Sequence, residues 1–322
     1  MNKHESSKQS KSKKKREEII AKLILIEQEH READISVNAW ATDILKNSSL
    51  KLIPKLVKGM FDIKQSTQRI LVSYHCIRIL LIINEQETLR QLKANEDLEN
   101  RLITYIRDTE RENIYQDSIF ILCSLFDNPN HFKDFYTFTF ISGLFDILNY
   151  IEDDLIFRAT VKILIEINSI YDNIKDNEFV KVYHTNKNAR VFNEILLRLL
   201  NTESNKDRII KMYRCFNNVI QKEDSCVLYN NDFEAFVDVF LRQLQTTDSE
   251  EIKFNIMDVV EKLLSYPTYY KSLYKLEEIK YVFNDYEQRD SESTEVKNKA
   301  KAILDTITKN VEKVNMGETL NS

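Results

Sequence analysis

Scarcity of glycine and proline is the feature that most limits what this chain can fold into. Only three glycines and three prolines occur among 322 residues, several times fewer than average usage would give. Folds with tight β-hairpins, and doubly wound folds, need such residues at their turns. Helices joined by short polar loops do not need them, so the composition favours an all-α fold.

The spacing of apolar residues indicates helices arranged as a repeat. Helical periodicity begins at Ile19 and continues, with short breaks, to about Val311. Segment 121–136 resembles segment 259–274, with leucine, proline, lysine and tyrosine at matching places and an offset of 138 residues, three times 46. Corresponding helix ends fall near Ile83, Leu125, Ile167, Val219 and Leu263. This period is typical of armadillo and HEAT units, so we predict an armadillo/HEAT-like helical-repeat solenoid whose neighbouring units bury each other's apolar faces.

The chain divides into three predicted segments. Residues 1–16 are polar and lysine-rich and are predicted to form a disordered basic tail. Residues 17–312 form a single elongated armadillo-like domain, and residues 313–322 form a flexible tail. The basic tail suits a nuclear signal or a phosphate-binding segment, although a solvated lead into the first helix is the simplest interpretation. No secretory signal is visible and no apolar run has bilayer-spanning length, so we expect a cytoplasmic protein without membrane insertion.

No pattern of residues points to catalysis, a cofactor or a metal. Glycine-rich phosphate loops and hydrolase motifs are absent, and none of the five histidines has metal-ligand spacing. The cysteines form no CxxC pair, and reduced thiols are the simplest interpretation: Cys76, Cys123, Cys215 and Cys226. A net charge of −5 gives no global basic field for nucleic acid. We therefore expect a monomeric, non-enzymatic binding protein with no cofactor and no nucleic-acid partner.

Positive charge concentrates between residues 187 and 214. This stretch contains seven basic and three acidic residues, which gives a local charge of +4 in an acidic chain. Arg208 and Lys211 share a helix face, and Arg214 continues it. We predict that this basic surface binds an acidic protein partner, with an ordinary solvated face as the alternative. Its residues are Lys187, Arg190, Arg198, Arg208, Lys211 and Arg214.

A tyrosine cluster is a second candidate contact surface. It consists of Tyr266, Tyr269, Tyr270 and Tyr274. Tyrosine is enriched at protein interfaces. Packing at a corner between helices explains such a cluster equally well, and it is the commoner reason for one.

The stretch LYNNDFEAFVDVFLRQL, residues 228–244, begins a helix. Asn231 is predicted to be the N-cap, with its side-chain oxygen accepting from a first-turn amide. Asp232 places negative charge near the positive end of that helix. Asp238 and Arg242 have the spacing of a pair on its outer face.

This stretch resembles the leucine-rich domain of the WISH/DIP/SPIN family. That family carries an aromatic residue, Asn-Asp, Val-Asp and then Arg-x-Leu. The motif falls here on Tyr229, Asn231, Asp232, Val237, Asp238, Arg242 and Leu244. Flanking elements at 157–173, 191–201 and 269–279 are similar and come in the family's order, although Ser169 and Ile170 follow Asn168 where the family has Glu-Gln. The resemblance covers about residues 150–285.

The resemblance implies a specific function. Family members are armadillo-like activators of the actin-related protein 2/3 (Arp2/3) complex that need no preformed filament, and therefore seed linear filaments. It implies the Arp2/3 complex as partner, actin as an indirect partner, and a role in endocytosis at cortical actin patches. A generic helical-repeat adaptor, such as a transport or chaperone-cofactor scaffold, is the alternative. RNA binding is a weaker third hypothesis, since no helix repeatedly offers base-reading side chains.

Overall fold

The computed structural model describes residues 3–28, 35–47, 51–62, 64–95, 97–108, 112–126, 133–220, 230–266 and 269–316. Over these residues the chain forms helices, turns and loops without β-strands, which confirms the all-α prediction. Contacts divide the chain into two compact units. Unit 1 comprises residues 1–135 and 151–163, and unit 2 comprises residues 136–150 and 164–322. The single domain predicted over 17–312 stays a prediction.

Unit 1 contains the seven helices that precede residue 126 in the described part of the chain, together with the first part of a later helix. They are α1 (Lys3–Gln28), α2 (Ile35–Lys46), α3 (Leu52–Met60), α4 (Thr67–Ile83), α5 (Glu85–Lys93), α6 (Leu98–Asp108), α7 (Glu112–Leu125) and, up to residue 163, α9 (Asp154–Ser169).

Unit 2 holds α8 (Phe138–Ile147), the remainder of α9, and all later helices. These are α10 (Glu178–Thr185), α11 (Ala189–Thr202), α12 (Lys206–Val219), α13 (Asn230–Thr246), α14 (Glu250–Ser265), α15 (Tyr269–Ser272), α16 (Leu276–Gln288) and α17 (Thr294–Asn315). A short 3-10 turn at Ile174–Asp176 precedes α10.

The helix ends predicted from the repeat are confirmed to within two residues. The predicted ends were assigned from apolar spacing alone. Helices α4, α7, α9, α12 and α14 end at Ile83, Leu125, Ser169, Val219 and Ser265. Each of these helices is therefore the corresponding member of successive repeats.

Side chains of one repeat cap helix ends of the repeat before it. The last four carbonyls of a helix have no partner within that helix, so they need donors from elsewhere. Lys262 Nζ donates to Asn217 O at 3.0 Å, 45 residues earlier in the sequence. Tyr266 Oη donates to Ile220 O at 3.1 Å, 46 residues earlier.

The same bond recurs along the chain. Acceptors lie at or near a helix C-terminus, and donors come from 39 to 46 residues later. Further examples are Gln91 to Leu45 O, Lys162 to Cys123 O, Arg242 to Asn201 O, Gln243 to Leu200 O, Tyr286 to Leu244 O and Asn310 to Leu264 O. We call these bonds inter-repeat caps, and they are the physical counterpart of the period seen in the sequence.

An aromatic cluster fills the core of unit 2 where α8, α10 and α11 meet. The Phe145 ring lies 5.5 Å from the centroids of both Phe179 and Phe192. Tyr183 joins them and donates to the buried Asn193 Oδ1 at 2.7 Å. Burial of these large side chains supplies a substantial hydrophobic contribution to folding, and it holds α11 in place ahead of α12.

The first helix differs from the prediction. A disordered tail was predicted for residues 1–16, but α1 already begins at Lys3. Lysine, arginine, glutamine and glutamate have good helix propensity. Compositional disorder rules count charge and apolar content and do not register that preference. Residues 317–322, at the end of the second predicted tail, lie outside the described residues.

Candidate interaction surface

Helix α12 carries the centre of the predicted basic surface. Asn205 caps its N-terminus, because its side-chain oxygen accepts from Arg208 N at 3.1 Å. The apolar face, including the fully buried Tyr213 and Phe216, packs into unit 2. With that face buried, Arg208, Lys211 and Arg214 line the opposite side at intervals of three residues. The predicted cation row therefore exists as a geometric feature.

Every cation of this row is paired with an acid of unit 2. Arg208 Nη1 lies 3.3 Å from Glu203 Oε2, in the loop before α12. Lys211 Nζ lies 2.7 Å from Glu166 Oε2 of α9. Arg214 Nη2 lies 3.1 Å from Glu251 Oε1 of α14. The net charge of the cation row together with its acidic partners is thus closer to zero than the +4 of residues 187–214 suggested.

The three ion pairs differ in how strongly they are held. Arg214 and Glu251 are both more than half exposed, and pairs of that kind contribute about 0–1 kcal/mol. Glu166 is only 12% exposed, so the Lys211 pair is better shielded from water. Arg214 can therefore exchange its partner for an external carboxylate at a small cost in free energy. Lys211 is held more firmly by its internal partner Glu166.

Glu203 is fixed at the N-terminal side of α12. Partial burial acts to raise the pKa of this carboxyl. The amide of Asn205, the Arg208 guanidinium and the amide of Ser204 lower it, and the net pKa lies below its ordinary value. Both amides donate to Oε1 at 2.9 Å. Glu203 is therefore an ionised anchor that keeps Arg208 in place.

The remaining predicted cations lie beside α12, on α11 and the loop before it. Lys187 and Arg198 are exposed, and within the described part of the chain neither forms an ion pair. Arg190 occupies the second position of α11, and its side chain lies outside the described residues. Of the six cations predicted for the surface, Lys187 and Arg198 are accordingly the most available to an acidic partner.

The residues of the family motif take structural positions. Asp238 lies 2.8 Å from Lys275 Nζ and accepts from the Tyr274 hydroxyl at 3.3 Å. Arg242 Nη2 donates to Asn201 O at 3.3 Å. The predicted Asp238–Arg242 pair is therefore wrong, because each side chain bonds a neighbouring element of unit 2 instead.

The start of α13 also differs from the prediction. The helix begins at Asn230, one residue before the predicted cap Asn231. Helix ends are commonly uncertain by a residue or two. Tyr229 and the side chains of Asn231 and Asp232 lie outside the described residues, so the capping prediction stays a prediction.

The tyrosine cluster is a packed corner and not an open surface. Tyr269 and Tyr270 are 1% and 4% exposed. Their hydroxyls donate to Tyr274 O at 3.0 Å and Leu264 O at 2.8 Å. Tyr266 makes the inter-repeat cap described above. The alternative interpretation, corner packing, is thus correct for this cluster.

Sequence reasoning missed the acids that face α12. Glu166 precedes Lys211 by 45 residues, and Glu251 follows Arg214 by 37. Both separations are near one repeat. Opposite charges about one period apart were the signal available in the sequence, but choosing the right partners also requires the stacking register of the repeats.

Metal ligands, membrane-spanning helices and cysteines are the remaining features of the described residues that bear on function. Within them, no group of three or more histidine, cysteine, aspartate or glutamate side chains could hold a metal ion. No helix within the described ranges is both long and apolar enough to cross a membrane. Cys76, Cys123 and Cys215 are buried, and burial raises the pKa of the Cys215 thiol. Cys226 lies outside the described residues. Fold and surface together define an armadillo/HEAT-like helical-repeat protein.

Comparison with known proteins finds a family similar to one segment of the chain. Residues 153–279 match the model of the family described as SPIN90/Ldb17, leucine-rich domain. The match covers α9 to the first residues of α16, including the cation row and the motif helix α13. The predicted resemblance is therefore confirmed for this segment. A search of curated proteins finds no significant match.

Several solved structures are similar to the chain at low identity. An engineered protein has 17% identity and a TM-score of 0.40, covering 80% of this chain and 97% of its own. A designed armadillo repeat protein in complex with the peptide (KR)4 has 14% identity and a TM-score of 0.39, covering 79% and 99%. A computationally designed armadillo repeat protein for modular peptide recognition has 13% and 0.40, covering 79% and 99%. At these TM-scores the likeness carries no argument.

Proposed function

We propose that the chain binds the Arp2/3 complex and promotes its active conformation without a preformed actin filament, so that linear filaments are seeded. The observation that carries this proposal is the match of residues 153–279 to the SPIN90/Ldb17 leucine-rich domain. In this role the protein is a non-enzymatic, monomeric activator that affects actin only indirectly. Its proposed site of action is the cytoplasm at cortical actin patches during endocytosis.

Activation follows from a difference in affinity between two states of the partner. A ligand shifts a conformational equilibrium only by the ratio of its affinities for the two states. The proposed contact is the row on α12 with the neighbouring cations of α11 and its preceding loop. Exposed pairs such as Arg214–Glu251 allow the cation to turn towards an acidic partner at little cost.

The first test is bulk actin assembly with the purified chain and the Arp2/3 complex. Preformed filaments and WASP-type activators are left out. The lag is expected to shorten with dose, and microscopy is expected to show unbranched filaments. A curve identical to that of the complex alone would contradict activation. Capture of transport or chaperone factors without Arp2/3 subunits would then favour the adaptor.

Charge reversal at Lys187 and Arg198 tests the surface itself. Both side chains are exposed and outside internal ion pairs of the described residues, so Lys187→Glu with Arg198→Glu leaves the fold intact. Binding to the Arp2/3 complex is expected to weaken about tenfold or more, mainly through slower association. The control is Lys301→Glu with Lys309→Glu on α17, which makes the same change in charge at exposed positions. Equal losses in both variants would contradict a local surface.

Lys211 needs a different variant because Glu166 would repel a second carboxylate. These two groups lie 2.7 Å apart in the parent, so the exchange of Lys211→Glu with Glu166→Lys keeps two opposite charges facing each other while reversing the charge on α12. Thermal unfolding should stay near the parent value, and the affinity for the Arp2/3 complex should fall. Retained affinity in a folded exchange variant would remove Lys211 from the contact surface.

A further inference from the structure

Burial along helix α1 begins only in its second half. Among the side chains that the structure describes in α1, which start at residue 11, the first buried one is Ile19, and Leu23 and Ile26 follow at helical spacing. Before Ile19, the lysines at 11, 13, 14 and 15 are all exposed. The later part of α1 therefore anchors the helix, and the side chains of residues 11–16 are exposed or partly exposed. We call the helical segment 3–16 the basic arm.

The basic arm carries a charge opposite to that of the rest of the chain. Residues 1–16 contain seven basic residues and one acidic residue, a net charge of +6. Because the whole chain carries −5, residues 17–322 carry −11. At about 100° of rotation per residue, Lys8, Lys11, Lys14 and Lys15 fall within a face about 120° wide. Mutual repulsion of these like charges destabilises an isolated helix, and an anionic surface relieves that repulsion.

Three properties of the arm favour a lipid surface over a nucleic acid. Six of its seven cations are lysines, and lysine acts as a point charge, whereas arginine is preferred where phosphates are recognised by geometry. From Lys3 to Arg16 there is no phenylalanine, tyrosine or tryptophan on which a base could stack. The same stretch has no apolar side chain to insert into a bilayer. Clusters of four to eight basic residues on a helix suit attraction to anionic headgroups.

We propose that the basic arm holds this protein on anionic membrane surfaces by electrostatic attraction, without insertion. The arm lies outside residues 153–279, so this proposal is independent of the proposed action on the Arp2/3 complex. Each lysine held near an anionic bilayer strengthens binding to it. Four such lysines together increase partitioning onto the membrane roughly a hundredfold or more. The rest of the protein, with its charge of −11, is repelled from the same surface and faces the solvent.

Serines within the arm give a means of release. Ser6, Ser7, Ser10 and Ser12 alternate with the basic residues. Each phosphate adds about −1.5 to −2 charge, so about three of them offset the arm's charge. Arg16 Nη1 already donates to Ser12 Oγ at 2.9 Å. A phosphate on Ser12 would pair with Arg16 and withdraw that cation from the surface.

Vesicle co-sedimentation of the full chain tests the proposal. The probes are phosphatidylcholine vesicles containing phosphatidylserine and vesicles of phosphatidylcholine alone. The parent protein is expected to bind only the anionic vesicles and to be released by added salt. Glutamine at Lys11, Lys13, Lys14 and Lys15 together is expected to reduce partitioning about a hundredfold or more, and glutamate at Ser10 and Ser12 to reduce it partially.

The matched control places the same charge change elsewhere. Glutamine at Lys55, Lys58, Lys301 and Lys309, all exposed, should leave vesicle binding close to that of the parent. Equal binding to both vesicle types, an equal loss in the control, or preferential binding of duplex DNA or RNA at matched phosphate concentration would each overturn the proposal. In solution assembly of actin without vesicles, the arm variant should behave like the parent, which separates this test from that of the proposed function.

Discussion

Single polar atoms inside the helical core carry much of this fold's specificity. Tyr286 is 1% exposed, and its hydroxyl donates to Leu244 O at the end of α13. Desolvation of the phenol raises the pKa of Tyr286 to about 12, so it remains a donor at any physiological pH. A buried carbonyl without a donor costs about 1–3 kcal/mol. The Tyr286 hydroxyl avoids this cost at Leu244 O.

Tyr286→Phe is expected to destabilise unit 2 by about 1–3 kcal/mol, because Leu244 O then lacks its donor and water cannot reach it. Chemical denaturation followed by circular dichroism measures the change. The matched control is Tyr281→Phe on the same helix, since Tyr281 is 72% exposed. A loss in the control as large as that in Tyr286→Phe would argue against the inter-repeat cap.

Glu87 makes part of the stability depend on pH. Its carboxylate accepts hydrogen bonds from Arg90 and Gln91, which lower the pKa of Glu87 from 4.5 to about 2. A carboxyl with a depressed pKa favours folding above its unfolded pKa, because the charged form is preferred in the native state. That contribution is complete above pH 4.5 and is lost as the pH falls from 4.5 towards 2.

Glu87→Gln is therefore expected to flatten the dependence of unfolding free energy on pH between about 5 and 2. Denaturant titrations at a series of pH values give the slope. Glu312→Gln, at an exposed position of α17, provides a control that should keep the parent's slope. An unchanged slope in Glu87→Gln would show that other carboxyls carry the acid sensitivity.

At the scale of elements, one buried ion pair joins α14 to the loop before α17. Lys253 Nζ lies 2.7 Å from Glu292 Oε1, and both side chains are nearly buried, at 9% and 8% exposure. Lys253 Nζ also lies 5.3 Å from the Tyr286 ring. Burying two charges is costly, so such a pair adds little net stability compared with apolar residues. Breaking it is costly because the remaining buried charge then loses its close partner.

Lys253→Met is expected to cost about 3–5 kcal/mol, since the buried Glu292 loses its close partner and keeps only the longer contact to Arg289 Nη1 at 3.8 Å. The double variant Lys253→Met with Glu292→Leu should recover most of that loss. Unfolding free energies of the parent, both single variants and the double variant complete a double-mutant cycle. Additive losses, with no recovery in the double variant, would contradict a direct interaction across this pair.

How far the elements follow from sequence depends on which signal sets them. Helix ends such as Ile83 and Val219 were predictable because apolar spacing and polar breaks are local properties. The Lys211–Glu166 pair was not predicted, because partners in different repeats require the stacking register. Helix α1 was missed over residues 3–16, where composition indicated disorder. For Asp238 and Arg242, spacing within one helix suggested a pair, but tertiary partners on neighbouring elements displaced it.

At the scale of the whole molecule, opposite charges are separated along the sequence. The basic arm carries +6 and the remainder −11, while the α12 row is balanced by its own acids. A uniformly acidic or basic surface would act at long range on any charged partner. Here the two proposed contacts involve short charged segments, and they are separable by mutation.

Binding to the Arp2/3 complex is expected to weaken as ionic strength rises, because screening shortens the reach of exposed cations such as Arg198. Affinity measured over a salt series gives the slope. Lys187→Glu with Arg198→Glu should bind more weakly and with a shallower slope than the parent. An identical slope in the parent and in this variant would separate these cations from the contact. Variants in the basic arm should leave the slope in solution unchanged.

Because of the inter-repeat caps, the helix ends of each repeat depend on side chains of the repeat that follows it. In each of these caps the earlier repeat supplies a backbone acceptor and the later repeat supplies a side-chain donor. Some of these donors, such as Lys262 and Asn310, are only partly buried. Removing an early helix frees a flexible donor that can turn to water, whereas removing a late one strands an immobile carbonyl. Unfolding should therefore spread more readily from the last helices towards the first than in the opposite direction.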